Sequence, residues 1–188
     1  LSLGIVWITG SALNSRLSSG IRDVNLNSAI VEARSTIFTA DYRFLLAQGE
    51  KDSIVQKVVD DVISSATTIT SNENTREVVF VRSPGNSMIN NYEIASNLLD
   101  PATIPQSLSE RVRKSNDIVW EYTNMRYLQG TSVSGLAIGQ KVQIPNAGQY
   151  EMYIVFSLAN EEKTLNLIDT YLLFAGLILV LLISLITW

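Results

Sequence analysis

Residues 132–158 read SVSGLAIGQKVQIPNAGQYEMYIVFSL. Short apolar runs alternate here with turn signals at Gly139 and Gln140 and again at Pro145, Asn146, Ala147 and Gly148, the punctuation of antiparallel strands. The spacing predicts strands over 132–138, 141–145 and 151–158. DIVWEYTNM at 117–125, closed by Gly130, supplies another, and REVVFVRS at 76–83 a further one that stops at Ser83, Pro84 and Gly85.

Helices surround these strands. Leu17, Ile21, Val24, Ser28, Val31, Ser35, Phe38, Tyr42 and Leu45 recur at alternating spacings of four and three. A second stripe of Ile30, Ala33, Ile37, Ala40 and Phe44 widens the apolar face. Together they predict one long amphipathic helix over 11–48, stopped by Gly49. Two uses of its face compete: packing on the chain's own sheet and pairing with the same helix of a second subunit. The expected division makes the membrane-proximal heptads dimeric, through Leu17, Ile21, Val24, Ser28 and Val31, and buries the distal turns in the domain. A second helix is expected over 52–65, with Ser53 and Gln56 spaced as a capping box. A short helix is expected from a second box, Ser107 with Glu110, to Lys114. Residues 67–75 are turn-rich, and 86–106 read as an irregular excursion with one short helical turn.

The two ends differ in kind. Tyr171 to Trp188, YLLFAGLILVLLISLITW, carries no charge. As a helix it measures about 27 Å at ~1.5 Å per residue, close to the ~30 Å hydrocarbon core of a bilayer. It reads as a transmembrane helix with Tyr171 and Trp188 at its interfaces. LSLGIVWI at the start lacks the basic region of a signal peptide and reads as the tail of a first transmembrane helix. The expected organisation is a first transmembrane segment over 1–12, an extracytoplasmic domain over 13–166 and a second transmembrane helix over 167–188. Asn160 is expected to cap the outgoing helix. Basic residues do not dominate the flanks on the domain side: Arg16, Arg22 and Asp23 follow the first segment and Glu161, Glu162, Lys163 and Asp169 precede the second. That pattern places the domain outside the cytoplasm. The fold class expected is α+β: a long N-terminal helix and shorter helices on one face of an antiparallel sheet, flanked by transmembrane helices.

Composition narrows the chemistry. The chain has 14 basic and 18 acidic residues, a net charge of −4, and no cluster of Lys and Arg to neutralise a run of phosphates. Nucleic acid is therefore not an expected partner. With no cysteine and no histidine, it lacks thiolate ligands, disulfides, the commonest metal ligand and the usual general base. No metal, cofactor or catalytic residue is expected. Adjacent carboxylates such as Asp60 with Asp61, and Glu161 with Glu162, point about 100° apart on a helix and read as solvated faces. Arg82, Trp120, Tyr122, Arg126 and Tyr127 are the residues whose cationic and aromatic character suits a ligand cleft or partner surface, although Trp120 and Tyr122 at strand period also suit a core.

The stretch EMYIVFSLANEEKTLNLI, leading into YLLFAGLILVLLISL, resembles the membrane-proximal strand and second transmembrane helix of actinobacterial MtrB-type sensor histidine kinases, and AIVEARSTIF resembles the corresponding helix after the first transmembrane segment. Residues 66–135 match only in the order of elements. The resemblance implies a PDC or PAS-like sensor fold and a homodimeric receptor in the cell membrane, in contact with its lipid. Such a receptor answers envelope or osmotic stress and signals through a cytoplasmic kinase to an MtrA-type response regulator, with a lipoprotein partner of the LpqB type. The fragment itself is not expected to be an enzyme. The alternative from another class is a membrane-anchored scaffold that binds an envelope protein or lipoprotein and transmits nothing.

Overall fold

A computed structural model describes residues 26–67, 75–84 and 99–187. The elements run in the order α1 (26–46), α2 (Asp52–Ala66), β1 (Arg76–Arg82), a 3-10 turn (Pro101–Thr103), α3 (Gln106–Lys114), β2 (Val119–Arg126), β3 (Ser132–Ile144), β4 (Gly148–Ser157) and α4 (Ala159–Thr187). The four strands form one antiparallel sheet in the order β1-β4-β3-β2. The fold is α+β, as the sequence implies. Ala29–Ala159 forms one compact unit, and the helix beyond Ala159 belongs to another.

Register decides what each face carries, because residues directly opposite across a ladder point the same way. Val78, Ile154 and Ile138 line up, as do Phe80 and Met152, and these side chains meet α1 and α2. Phe44 of α1 stands edge-on to Phe80 with ring centroids 6.2 Å apart. Glu32 of α1 forms an ion pair with Arg76 of β1. On the opposite face Val79, Tyr153, Val155, Ala137 and Met125 form a core with Leu108 and Val112 of α3 and with Leu99. The sheet is therefore sandwiched between helices, whereas the sequence reading placed them on one face. The second layer follows from the strands: β4 is buried on both sides, with Met152 and Ile154 turned one way and Tyr153 and Val155 the other, so each side needs a cover.

The long helix uses its two stripes in an unexpected way. Ala29, Ala33, Ile37, Ala40, Phe44 and Ala47 are buried. Phe38, Tyr42 and Leu45, expected inside the domain, are exposed, at 72%, 55% and 63% of their surface. Alanines at four of the six buried positions let α1 lie close to the sheet, and a helix so seated cannot also turn the heptad stripe inward. Residues 11–25 of the expected helix lie outside the described residues.

Local signals were partly misread. β3 is one strand of 13 residues where two were expected. Gly139 is no turn: a Cβ there would sit 2.5 Å from Cδ1 of Tyr153 and 2.9 Å from Cγ2 of Val112, so the glycine makes room for a ring. Neither capping box forms. α2 follows Lys51 and α3 follows Pro105, both without a side-chain cap. Gln56 instead donates to Asp60 at 2.8 Å. Ser107 donates to both carboxylate oxygens of Glu121, at 2.8 and 2.9 Å. α4 starts one residue before Asn160, and the Ala159 amide donates to Ser157 Oγ at 3.3 Å. The β3–β4 turn does form where expected, with Asn146 at φ 60° and Gly148 at φ 86°.

α4 runs unbroken for 29 residues, and Leu173, Phe174, Leu177, Ile178, Leu181, Leu182 and Leu185 are exposed along it. Among the described residues, no helix is long and apolar enough to cross a membrane. The side chains at 172, 179, 180, 183 and 186 fall outside that description. The first transmembrane segment expected at 1–12 also lies outside the described residues.

Candidate functional site

The five residues singled out as a cleft do not converge. Trp120, Tyr122 and Arg126 sit on one face of β2, the edge strand. Trp120 and Tyr122 meet edge to face at 5.6 Å, and Tyr122 is 46% exposed, so the pair is not part of the core. Tyr127 turns to the opposite face, where it packs beside the α3 core. Burial pushes its hydroxyl above the ordinary tyrosine value. Arg82 ends β1 at the other edge of the sheet, three strands over, and by register is level with Val142 rather than with any of these β2 residues. Of the dimer-seam residues, Ser28 and Val31 are exposed on α1, and Leu17, Ile21 and Val24 lie outside the described residues.

A different concavity opens at the far end of α1. A groove of about 730 Å³ is bounded by Asp41 and Leu45 of α1, by Gln48 just after it, by Asn116, and by Lys141, Gln143, Asn146 and Gln149 of the β3–β4 hairpin. Five carboxamides in one groove, with Asp41 and Lys141 beside them, offer donors and acceptors together and one charge of each sign, which suits a polar ligand that carries both donors and acceptors. Asp41 is the carboxylate among them, and burial raises its pKa. Asn146 also ties the hairpin to the turn after α1: its Nδ2 donates to the Glu50 carbonyl at 3.0 Å and to Asp52 Oδ1 at 2.9 Å. Sequence reasoning missed this groove because its two walls lie about a hundred residues apart in the chain, and no local pattern pairs them.

Beneath α3 lies a buried charged cluster that sequence reasoning also missed. Glu151 is fully buried in the middle of β4. Arg113 Nε donates to its Oε1 at 2.6 Å, while the Tyr153 hydroxyl at 2.6 Å and Ser109 Oγ at 2.9 Å donate to Oε2. Burial, and then the bond to Glu151, raise the Tyr153 pKa. Its own bond to Glu151 raises the Arg113 pKa. The bonds from Arg113 and Ser109 to Glu151 fasten α3 to the sheet. Among the described residues no three carboxylates gather as metal ligands.

No protein-family model matches the chain, and no curated protein does.

Proposed function

We propose that the chain is the extracytoplasmic sensing and transmembrane signalling region of a sensor histidine kinase of the MtrB type, in which α4 carries the output. One observation supports this reading above the others. The groove lies between α1 and the β3–β4 hairpin, and β4 passes through the single residue Leu158 into α4. A ligand or partner that draws the hairpin toward α1 loads the strand that continues into the outgoing helix. A change of this kind shifts a two-state equilibrium by as much as the ligand prefers one arrangement over the other.

The membrane assignment rests on length and composition. Twenty-nine helical residues reach about 43 Å at ~1.5 Å each, and the run from Tyr171 to Trp188 is uncharged. Large side chains left exposed along α4 have no cover within the described residues, and lipid supplies one. In this reading the domain stands outside the cell membrane, in line with its flanking charges. Trp120, Tyr122 and Arg126 form the surface offered to a lipoprotein partner of the LpqB type, and the MtrA-type regulator is reached only through a cytoplasmic kinase. The PDC or PAS-like identity of the domain belongs to the same proposal.

Thr164→Pro tests the relay. Position 164 is in the second turn of α4, where Thr164 Oγ1 donates to the Asn160 carbonyl at 2.9 Å. Proline there removes a backbone donor and clashes with that carbonyl, at a cost of roughly 3 kcal/mol or more. The variant should remain in the membrane fraction and lose stimulus-dependent output from the full-length receptor. Wild-type output would reject the relay and favour a scaffold that anchors without transmitting.

A further inference from the structure

β3 outruns the strand beside it. β2 pairs with it from Ser132 to Gly139, whereas β4 pairs with it from Gly135 to Ile144. Residues 140–144 therefore form a sheet edge with no strand alongside among the described residues. Backbone groups on a strand turn alternately to its two neighbours. The Tyr127 amide donates to the Thr131 carbonyl at 2.9 Å and the Leu158 amide to the Ser134 carbonyl at 2.8 Å, which assigns the odd-numbered residues of β3 to the β2 side and the even-numbered ones to β4. The N–H and C=O of Lys141 and Gln143 thus point past the end of β2. The groove lies on that edge. Lys141, Val142 and Gln143 all line it, yet successive side chains on a strand take opposite faces, and a space that touches all three runs alongside the strand. We propose that the groove takes an extended peptide segment of a partner protein, which pairs with residues 141–143 of β3 as a fifth strand.

The surroundings suit a peptide backbone better than a compact solute. The edge offers donors and acceptors at the strand repeat, and its four residues 141–144 cover about 14 Å at ~3.4 Å each, room for a partner strand of about four or five residues. Carboxamides at Gln48, Asn116 and Gln143 add bonds of the kind a main-chain amide makes. Both ends of the groove are fixed: Gln140 Nε2 donates to the Asn116 carbonyl at 3.0 Å, and Asn146 holds the tip of the hairpin to Glu50 and Asp52. The edge is thus held in place before a partner arrives, which lowers the ordering cost of binding. A strand laid here turns alternate side chains to the two faces of the sheet. On the α1 face it meets exposed Leu45 and Pro145, which an apolar side chain covers. On the other face Lys141 stands level with Glu151, its Nζ against the Arg113 carbonyl at 3.4 Å, and its charge selects an acidic side chain. The segment is therefore an apolar residue followed directly by an acidic one, among small residues that favour an extended chain. This deepens the receptor reading, since the groove is where that reading places the stimulus.

The probe is a pool of acetylated, amidated pentapeptides with Leu third, Glu fourth and Ser, Thr or Val elsewhere, offered to the full-length protein in lipid nanodiscs. Members of the pool should bind, and no binding at about 1 mM would overturn the proposal. Alternation along an added strand supplies the decisive arm. N-methylating a bound peptide at every second residue should abolish binding when the methyl groups fall on the β3 side, and change it by less than about threefold when they fall on the outer side. Equal loss from both sets, or loss from neither, would show that side chains rather than backbone are read, as in a pocket for a compact solute, and would reject the added strand. Gln143→Pro removes a donor that faces the groove and leaves the β4 ladder intact, a position that proline tolerates on an edge. It should hold the melting temperature within about 3 °C and weaken the peptide about tenfold. Its unfolding would show that the amide is already used by its own chain, and the proposal would fall. Peptide binding alongside wild-type output from Thr164→Pro would reject the receptor reading and leave the site standing; no peptide binding, with output lost in Thr164→Pro, would do the reverse.

Discussion

Replacing Glu151 with alanine removes a carboxylate that holds three donors at 2.6, 2.6 and 2.9 Å in a site closed to water. The Tyr153 hydroxyl, in a residue with no exposed surface, and the nearly buried Ser109 hydroxyl are left without their acceptor. Each unsatisfied group costs about 1–3 kcal/mol. Arg113 adds less, because its side chain is 39% exposed and water takes over part of its solvation. With the small cavity left behind, the expected loss is about 3–5 kcal/mol. At roughly 3–5 °C per kcal/mol for a domain of this size, the melting temperature should fall by roughly 10–20 °C. Thermal unfolding followed by circular dichroism measures it. The decisive arm is a triple variant, Glu151→Met with Arg113→Met and Tyr153→Phe, which removes the charge together with its two closest donors. Apolar replacement of a whole buried pair is often nearly neutral, so the triple variant should recover most of what Glu151→Ala loses. A loss below about 1 kcal/mol in the single variant, or a triple variant no more stable than it, would refute the view that unsatisfied donors set the cost.

Asp41 gives a pH-dependent outcome. Burial raises its pKa in the folded state, so its contribution to stability is fully present below the unfolded value of ~3.9 and is lost as pH rises through the folded value. Asp41→Asn should therefore stabilise the protein at pH 7 and be neutral at pH 3, as read from guanidinium midpoints at the two pH values. Gly139→Ala should cost about 1–3 kcal/mol by forcing a methyl group into the Tyr153 ring and Val112. Tyr153→Phe does not relieve that clash, because the ring atoms themselves are in the way, whereas Tyr153→Leu in the same background should recover part of it.

What the sequence disclosed follows the range over which each signal acts. Strand existence was legible because Val, Ile, Tyr and Phe runs bounded by Pro-Asn-Ala-Gly report on two faces of a pleat at once, and β1, β2 and the β3–β4 hairpin form where the pattern puts them. Boundaries set by a single residue were not legible. Gly139 looks like punctuation in one dimension, and only the arrival of Tyr153 from the neighbouring strand and Val112 from α3 shows it to be a space. Ser53 and Ser107 have the right offsets for caps, yet Lys51 and Pro105 begin the helices, so the serines fall inside the first turn, and Ser107 turns instead to Glu121. The groove was hidden for the same reason: Asp41 and Gln48 carry no mark that points to Gln143 or Asn146.

α1 shows how a correct pattern can be assigned the wrong owner. Both stripes were visible, and hydrophobicity alone favours the one with Val31, Phe38, Tyr42 and Leu45 as the buried face, since its residues are larger. Packing reverses that choice. A helix lying flat on a sheet comes closest where its side chains are small, and Ala29, Ala33, Ala40 and Ala47 allow an approach that leaves Ile37 and Phe44 to fill the gaps. The larger stripe is then left on the outside by geometry. Substitutions in the two stripes should therefore separate: a larger residue at Ala33 or Ala40 acts on folding through overpacking, and a polar one at Phe38 or Tyr42 leaves folding unchanged. If both classes moved the melting temperature equally, the outer stripe would be covered by its own chain.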